Sequence, residues 1–169
     1  SVQEILSMIR TLGAMVGAGQ RADELVGAYE NNIDHSLVRA AELPRRPKVY
    51  FEEWDTPQIS GIRWVSELIT IAGGDDIFPE LAVCPDGKSR IIGDPEEVIR
   101  RAPDIIIGSW CGKKFRPEKV AARQGWDAIP AVQNGDIYEI KSAEILQPGP
   151  AALTDGLEQL QEIVANWVH

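Results

Sequence analysis

The chain has 169 residues, which allows one domain, or one domain with an appendage. Its hydrophobic fraction of 44% is normal for a globular core, and a formal net charge of -9 argues against nucleic acid or an anionic membrane surface as the main partner. Two cysteines (Cys84, Cys111) and two histidines (His35, His169) make a dedicated zinc site unexpected; the cysteine count permits one disulfide without implying it.

No stretch reaches the roughly 18–20 apolar residues of a membrane span. No secretory signal is visible. The chain begins at Ser1 without an initiator Met, so it reads as a piece of a longer or processed protein.

Ser1 to Glu4 has the S-x-x-E form of a helix capping box. Val2, Ile5, Leu6, Ile9 and Leu12 follow at helical spacing, and Gly17 with Gly19 ends the run. A second, long helix is expected over 20–43, with Leu25, Tyr29, Ile33 and Leu37 recurring every four residues and Pro44 as its stop. From 48 onward strands and helices alternate. A strand at 48–53 leads to a polar turn at 55–61 and a helix at about 62–72, closed by Gly73-Gly74. The polar stretch 84–92 reads as a loop. Asp94-Pro95-Glu96-Glu97 is a helix start with acids at the positive end of the dipole. Asp104 to Gly108 (DIIIG) is the continuous apolar run of a strand buried on both faces. A short helix opens at Pro117. Asn134-Gly135 signals a turn between short strands within 131–140. The last helix starts near Gly149-Pro150, with Leu153, Leu157, Leu160, Ile163 and Val164 on one face. The fold expected is α/β: a mostly parallel sheet sandwiched by helices, a Rossmann-like lobe preceded by a long α-helix.

Ligands of such sheets sit beyond the carboxyl ends of the strands. The loops there are 54–61, 109–116 and 141–149. They supply Trp54, Gln58, Ser60, Trp110, Cys111, Lys113, Glu144, Gln147 and Pro148. Two tryptophans and several neutral hydrogen-bonding groups suit holding a bulky, partly apolar molecule. There is no Ser-His-Asp order, phosphate loop or metal cluster, so no enzyme activity, catalytic residue or cofactor is expected. Glu52 and Glu53 alternate across a strand and point to opposite faces, so they cannot pair as acid and base. Each candidate also has a plainer explanation. Either tryptophan could be a packing residue, Cys111 an ordinary small residue, and Lys113 and Lys114 solvated cations. Asp75, Asp76 and Lys113 would make an enzyme or receiver-like site only if they met at one strand edge.

Three stretches carry a resemblance: VYFEEWDTPQISGIRWVSELITIAGGDDIFPEL, DPEEVIRRAPDIIIGSWCGKK and GWDAIPAVQNGDIYEIKSAEILQPGP. In order and spacing they resemble the C-terminal part of the periplasmic cobalamin-binding proteins. These are solute receptors of ABC importers in the two-lobed, rigid-helix class. The resemblance covers nearly all of 48–169. It implies a remnant helix of the N-terminal lobe at 1–19, an interlobe helix at 20–44 and a C-terminal ligand-binding lobe at 45–169.

The resemblance further implies capture of cobalamin or a related corrinoid between two lobes and its delivery to a membrane permease. The location would be periplasmic or extracellular, with a lipid anchor admitted for the full-length protein. Trp54 matches an aromatic that stacks on the corrinoid. The loops at Trp110 and at Gln147-Pro148 match cleft-lining loops, and Glu96 matches a surface glutamate that docks onto permease arginines. Ferric siderophore or haem is the alternative ligand. Arginines usually meet anionic siderophores in this class, and only Arg63 and Arg90 lie near the expected cleft, which tilts the choice toward a corrinoid. A lone lobe would also expose apolar surface that invites dimerisation.

Overall fold

The computed structural model describes every residue from Ser1 to His169. Helix α1 (Val2–Met15) begins with the expected capping box. Ser1 Oγ accepts from the Glu4 backbone N–H at 3.2 Å, and the Glu4 carboxylate accepts from the Ser1 amine at 2.6 Å. Its Val2, Ile5 and Leu6 are buried in the main core, while Leu12, Met15 and Val16 at the other end stay 52–77% exposed. Helix α2 (Gly19–Ala41) turns back along α1. The two approach closely at Gly13, where a Cβ would lie 2.3 Å from the Cβ of Ala22.

Of the Leu25–Leu37 row that the four-residue spacing suggested, Tyr29 and Ile33 pack partly buried against the main core, but the fully buried positions of α2 lie beside that row. Ala22, Val26, Ser36 and Ala40 are buried, whereas Leu25 and Leu37 are exposed. Small residues win this face because they let the helices approach; the leucines lie beside the contact.

The sheet has five strands. β1 (Lys48–Asp55) is central, with β4 (Ile105–Gly108) parallel on one side and β5 (Ile137–Glu139) parallel beyond it. On the other side of β1 lie the two-residue β3 (Asp75–Asp76), parallel at its start, and β2 (Gln58–Ser60), antiparallel at its end. The mostly parallel α/β architecture is as expected. The 54–61 stretch differs from expectation: it is a hairpin rather than an open turn, with Asp55 facing Gln58 in register. The loop before residue 93 extends that hairpin, since Ser60 N–H donates to Arg90 O and Ile92 N–H to Gln58 O.

Two cores flank the sheet. One is aliphatic. It gathers Phe51, Ile105 and Ile107 with Leu68 of α3 (Arg63–Ala72), and Leu157 and Leu160 of α9 (Leu157–Val168). The other is aromatic. It holds Tyr50, Phe78, Trp110, Phe115 and Trp126, with Ile106 from the strand. Fully burying each such side chain contributes about 1.5–3 kcal/mol. The second core is closed by short elements: α4 (Pro79–Ala82), α5 (Glu96–Arg101), α6 (Pro117–Ala121), a 3₁₀ turn at Trp126–Ala128 and α7 (Pro130–Asn134). Asp94 accepts from Glu96 N–H at 3.0 Å just ahead of α5, which opens one residue later than its sequence predicted, with Pro95 as the N-cap. The strand expected before Asn134-Gly135 is instead α7, and Gly135 with φ +79° is its left-handed cap. After β5 a short helix α8 (Ser142–Ile145) and a π turn at Ala152–Gly156 lead into α9. Trp64 ties α3 to α8 by donating its indole N–H to Ile145 O at 2.9 Å.

Candidate functional site

The carboxyl end of β1 is the sequence Glu52-Glu53-Trp54-Asp55, with a β-bulge between Glu52 and Trp54. Three carboxylates therefore leave the sheet within four residues. Each meets a cation from a different loop.

Glu52 is 1% exposed. Its oxygens accept from Arg123 Nη1 and Nη2 at 2.6 and 2.8 Å, from Tyr50 Oη at 2.8 Å and from Trp110 Nε1 at 3.0 Å. A forked guanidinium on a carboxylate is the strongest common ion-pair geometry, and the two extra donors satisfy the remaining lone pairs. Burial, reinforced by the Glu52 charge, pushes the Tyr50 hydroxyl well above its ordinary value, so Tyr50 remains a neutral donor.

Glu53 points to the other face, as strand alternation requires. One oxygen accepts from Ile62 N–H at 2.6 Å, at the start of α3. The other pairs with Arg90 Nη1 at 2.8 Å. Arg90 is 4% exposed and also donates to Ser60 O. Burial raises the Glu53 carboxyl above its usual range despite the pull of Arg90.

Asp55 pairs with Lys113 Nζ at 2.6 Å. That ammonium also stands 5.5 Å from the ring centroid of Trp54 and 5.2 Å from that of Trp110, within cation–π range. Trp54 is half-buried, and its indole N–H donates to Thr56 O at 3.0 Å, which fixes the ring against the hairpin tip. Trp110 is only 4% exposed and packs edge-on against Phe115 at 4.9 Å. The Phe115 ring in turn covers Gly108, where a Cβ would meet it at 1.8 Å. The loop after β4 is thus pinned by Trp110 and Phe115, and Cys111 to Lys114 stand exposed between the pins.

A depression of about 890 Å³ opens beside this edge, between Asp55 to Gln58, Ile91 to Glu96 and Arg123 to Trp126. The buried side-chain polar atoms without a partner are Asp55 Oδ1, Gln58 Oε1, Arg90 Nε and Ser109 Oγ. All four belong to this end of the sheet. Unpaired buried polar atoms are rare, and their clustering sets this edge apart from the rest of the molecule.

The expected site residues fall into two groups. Trp54, Trp110, Gln58 and Ser60 come together at the edge. Ser60, however, is 1% exposed and serves the Arg90 loop through its hydroxyl at 3.3 Å, and Trp110 presents little surface. Cys111 is exposed in the same loop, and both cysteines are free thiols. Arg63 lies on the surface of α3 and pairs with Glu67 at 3.1 Å. Gln147 and Pro148 are exposed in the loop after α8. Glu96 keeps 79% of its side chain exposed, with Arg100 3.8 Å away, and lines the rim of the depression.

Asp75 does not join Lys113. It pairs with Arg46 at 2.8 Å beside the start of β1, while Lys113 binds Asp55 at the other end. The enzyme-like triad fails on that separation. Sequence reading missed Arg90 and Arg123 as partners and took Lys113 for a solvated cation. None lies in a periodic pattern, and each acts on a residue 37 to 71 positions away.

Comparison with known proteins agrees with this architecture. A curated relative, the uncharacterised ABC transporter substrate-binding lipoprotein YvrC of Bacillus subtilis, is 21% identical over 97% of this chain and 51% of its own length. The haem complex of Staphylococcus aureus IsdE superposes with a TM-score of 0.78 at 20% identity, over 97% of this chain and 65% of that one. The periplasmic vitamin B12 binding protein BtuF of Vibrio cholerae superposes with a TM-score of 0.71 at 21% identity, over 99% of this chain and 62% of that one. The chain thus spans about half the length of the curated relative and under two thirds of these structures. Residues 1–144 match the family described as periplasmic binding protein, and the chain belongs to that family.

Proposed function

We propose that this chain is the ligand-binding C-terminal lobe, with its interlobe helix, of a two-lobed solute receptor that passes a corrinoid to an ABC permease. The observation that carries the ligand is the pairing of the cations that meet the carboxyl end of β1 and the start of α3. Arg90, Lys113 and Arg123 are held by Glu53, Asp55 and Glu52, and Arg63 by Glu67. None of these four is free to receive the carboxylates of haem or an anionic siderophore; the unpaired cations of the loop after β4, Lys114 and Arg116, are exposed to solvent. A large, neutral to cationic ligand meets a balanced edge with an aromatic ring, Trp54, in it.

The remaining parts of the reading fit around this. Residues 45–169 form the lobe and 20–44 the strut. Residues 1–19 complete the lobe's core with their first turns and offer Leu12, Met15 and Val16 to an N-terminal lobe. In an isolated chain the same face would bring two copies together. Glu96, exposed at the start of α5, suits docking onto permease arginines, because an exposed carboxylate loses little on pairing and steers encounter. Such a receptor works outside the cytoplasmic membrane, in a periplasm or anchored by lipid. No helix here is long and apolar enough to cross a membrane.

The test is calorimetric titration of cobalamin, haem and a ferric siderophore into the full-length protein, with this chain alongside. Tight cobalamin binding by the longer protein and weak binding here is expected. Haem or siderophore binding alone would overturn the ligand and leave the family untouched. Trp54→Ala should cost about 1 kcal/mol or more of corrinoid affinity. Glu96→Arg should reduce uptake in cells and leave the titration unchanged.

A further inference from the structure

We propose that Trp54 and Asp55 form a cation site, that the Lys113 ammonium is its internal occupant, and that a positively charged planar ligand takes the site by displacing Lys113. This rests on the corrinoid reading above and names the charge that the site selects.

The geometry is that of a cation receptor already filled. Lys113 Nζ has a carboxylate oxygen at 2.6 Å and two indole rings at 5.2 and 5.5 Å. Aromatic faces beside a carboxylate are what proteins use to hold ammonium groups. Asp55 is largely buried, its side chain 14% exposed, whereas Lys113 is 43% exposed. The carboxylate therefore belongs to the scaffold and the ammonium is the part free to leave. The chain around Lys113 permits the movement. Trp110 and Phe115 anchor the loop at its two ends. Cys111 to Lys114 between them are exposed, and Gly112 holds a φ of +70°. Lys113 can swing into water without disturbing either anchor. A partly exposed pair of this kind is weakly held.

Once Lys113 leaves, Asp55 faces the cleft as an uncompensated carboxylate. Arg123 cannot take over, because both its terminal nitrogens are committed to Glu52 at 2.6 and 2.8 Å. The complementary ligand is a flat ring system carrying positive charge at its centre. It would stack on Trp54 and return the charge that Lys113 removed. A trivalent cobalt in a monoanionic corrin ring has that character, and the positive charge at the metal is set by its axial ligand. A macrocycle bearing carboxylates would meet Asp55 with like charge.

The experiment compares aquacobalamin with cyanocobalamin, which differ in one axial ligand and one unit of charge at the metal. Both are titrated into the full-length protein carrying Cys111→Ser, so that the Cys111 thiol does not replace the bound water. The cobalamin absorption spectrum reports that the axial ligand is retained. The protein should bind aquacobalamin several-fold more tightly, and the preference should shrink as salt is raised. Asp55→Asn should abolish the preference. Lys113→Met should tighten binding of both corrinoids by removing the competitor. Equal affinities in the parent, or a preference that survives Asp55→Asn, overturns the cation site. Weaker binding in Lys113→Met also overturns it, since Lys113 would then be a ligand contact. If neither corrinoid binds the parent, the corrinoid reading itself fails and this site falls with it.

Discussion

The two faces of the sheet are built by different means. The aliphatic face is covered mainly by helices of 10 to 23 residues and contains Phe51, Leu68, Ile107 and Leu157 in one large cluster. The aromatic face is covered by helices of four to six residues and stacks Tyr50 edge-on to Phe78 and Trp126. Long helices supply stability by area. Short ones, joined by loops that reach the strand ends, supply direction: Arg123 and Trp110 come to Glu52 only because short segments bend there. The lesson is a division of labour across one sheet, with the edge chemistry carried mainly by the thinner, ring-filled side.

Substitutions can break this division in order of size. Phe51→Ala, on the aliphatic face, should cost about 3–5 kcal/mol of stability through lost transfer energy and a cavity. Ligand affinity measured well below the melting midpoint should be unchanged. Glu52→Gln, on the ring-filled face, should cost roughly 3 kcal/mol by leaving Arg123 unbalanced in a mostly buried position. Unlike Phe51→Ala, it should also lower ligand affinity, because Arg123, which lines the depression, loses its forked carboxylate. Equal effects of the two on affinity would dissolve the distinction.

The smallest effect sharpens the comparison through pH. The Glu53 carboxyl titrates above its ordinary value in the fold, so the native state binds more protons than the unfolded state in that window. Stability from this site therefore falls as pH rises through it. The stability of Glu53→Gln relative to the parent should shift in the variant's favour as pH rises above the ordinary glutamate range, about 4. Denaturant unfolding at a series of pH values measures it. A flat difference would mean that Glu53 is not held in a desolvated state.

Much of the scaffold was legible. DIIIG reads as a buried strand and is one, since the three isoleucines are fully buried. Asp94-Pro95 reads as a helix start and immediately precedes α5. Local signals failed where one signal has two meanings. Asn134-Gly135 fits a hairpin turn or a helix end, and Pro130 at the first helical position decides for the end. β2 is three residues long with one apolar member, too short for periodicity to register. At the site, Trp54 could be singled out by its place at the end of a strand, whereas Asp55 read only as a turn residue and proves to be the last residue of β1. Their partners could not, because Arg90, Lys113 and Arg123 arrive from polar loops and are chosen by three-dimensional proximity alone. The unpaired buried atoms at Asp55, Gln58 and Ser109 have no counterpart in any local pattern.

The contact between Gly13 and Ala22 has a mechanical consequence. Helix α2 has 23 residues and is therefore about 35 Å long. With no side chain between them at Gly13, the two helices touch near one end of that rod, and the contact sets its tilt. A wedge of one methyl group at Gly13 would push the two helices apart at this end, while Ala40 and Leu43 hold the other end of α2 against Gly73. The angle at which this rod leaves the lobe is thus set by a single glycine, at the end of α2 remote from the sheet.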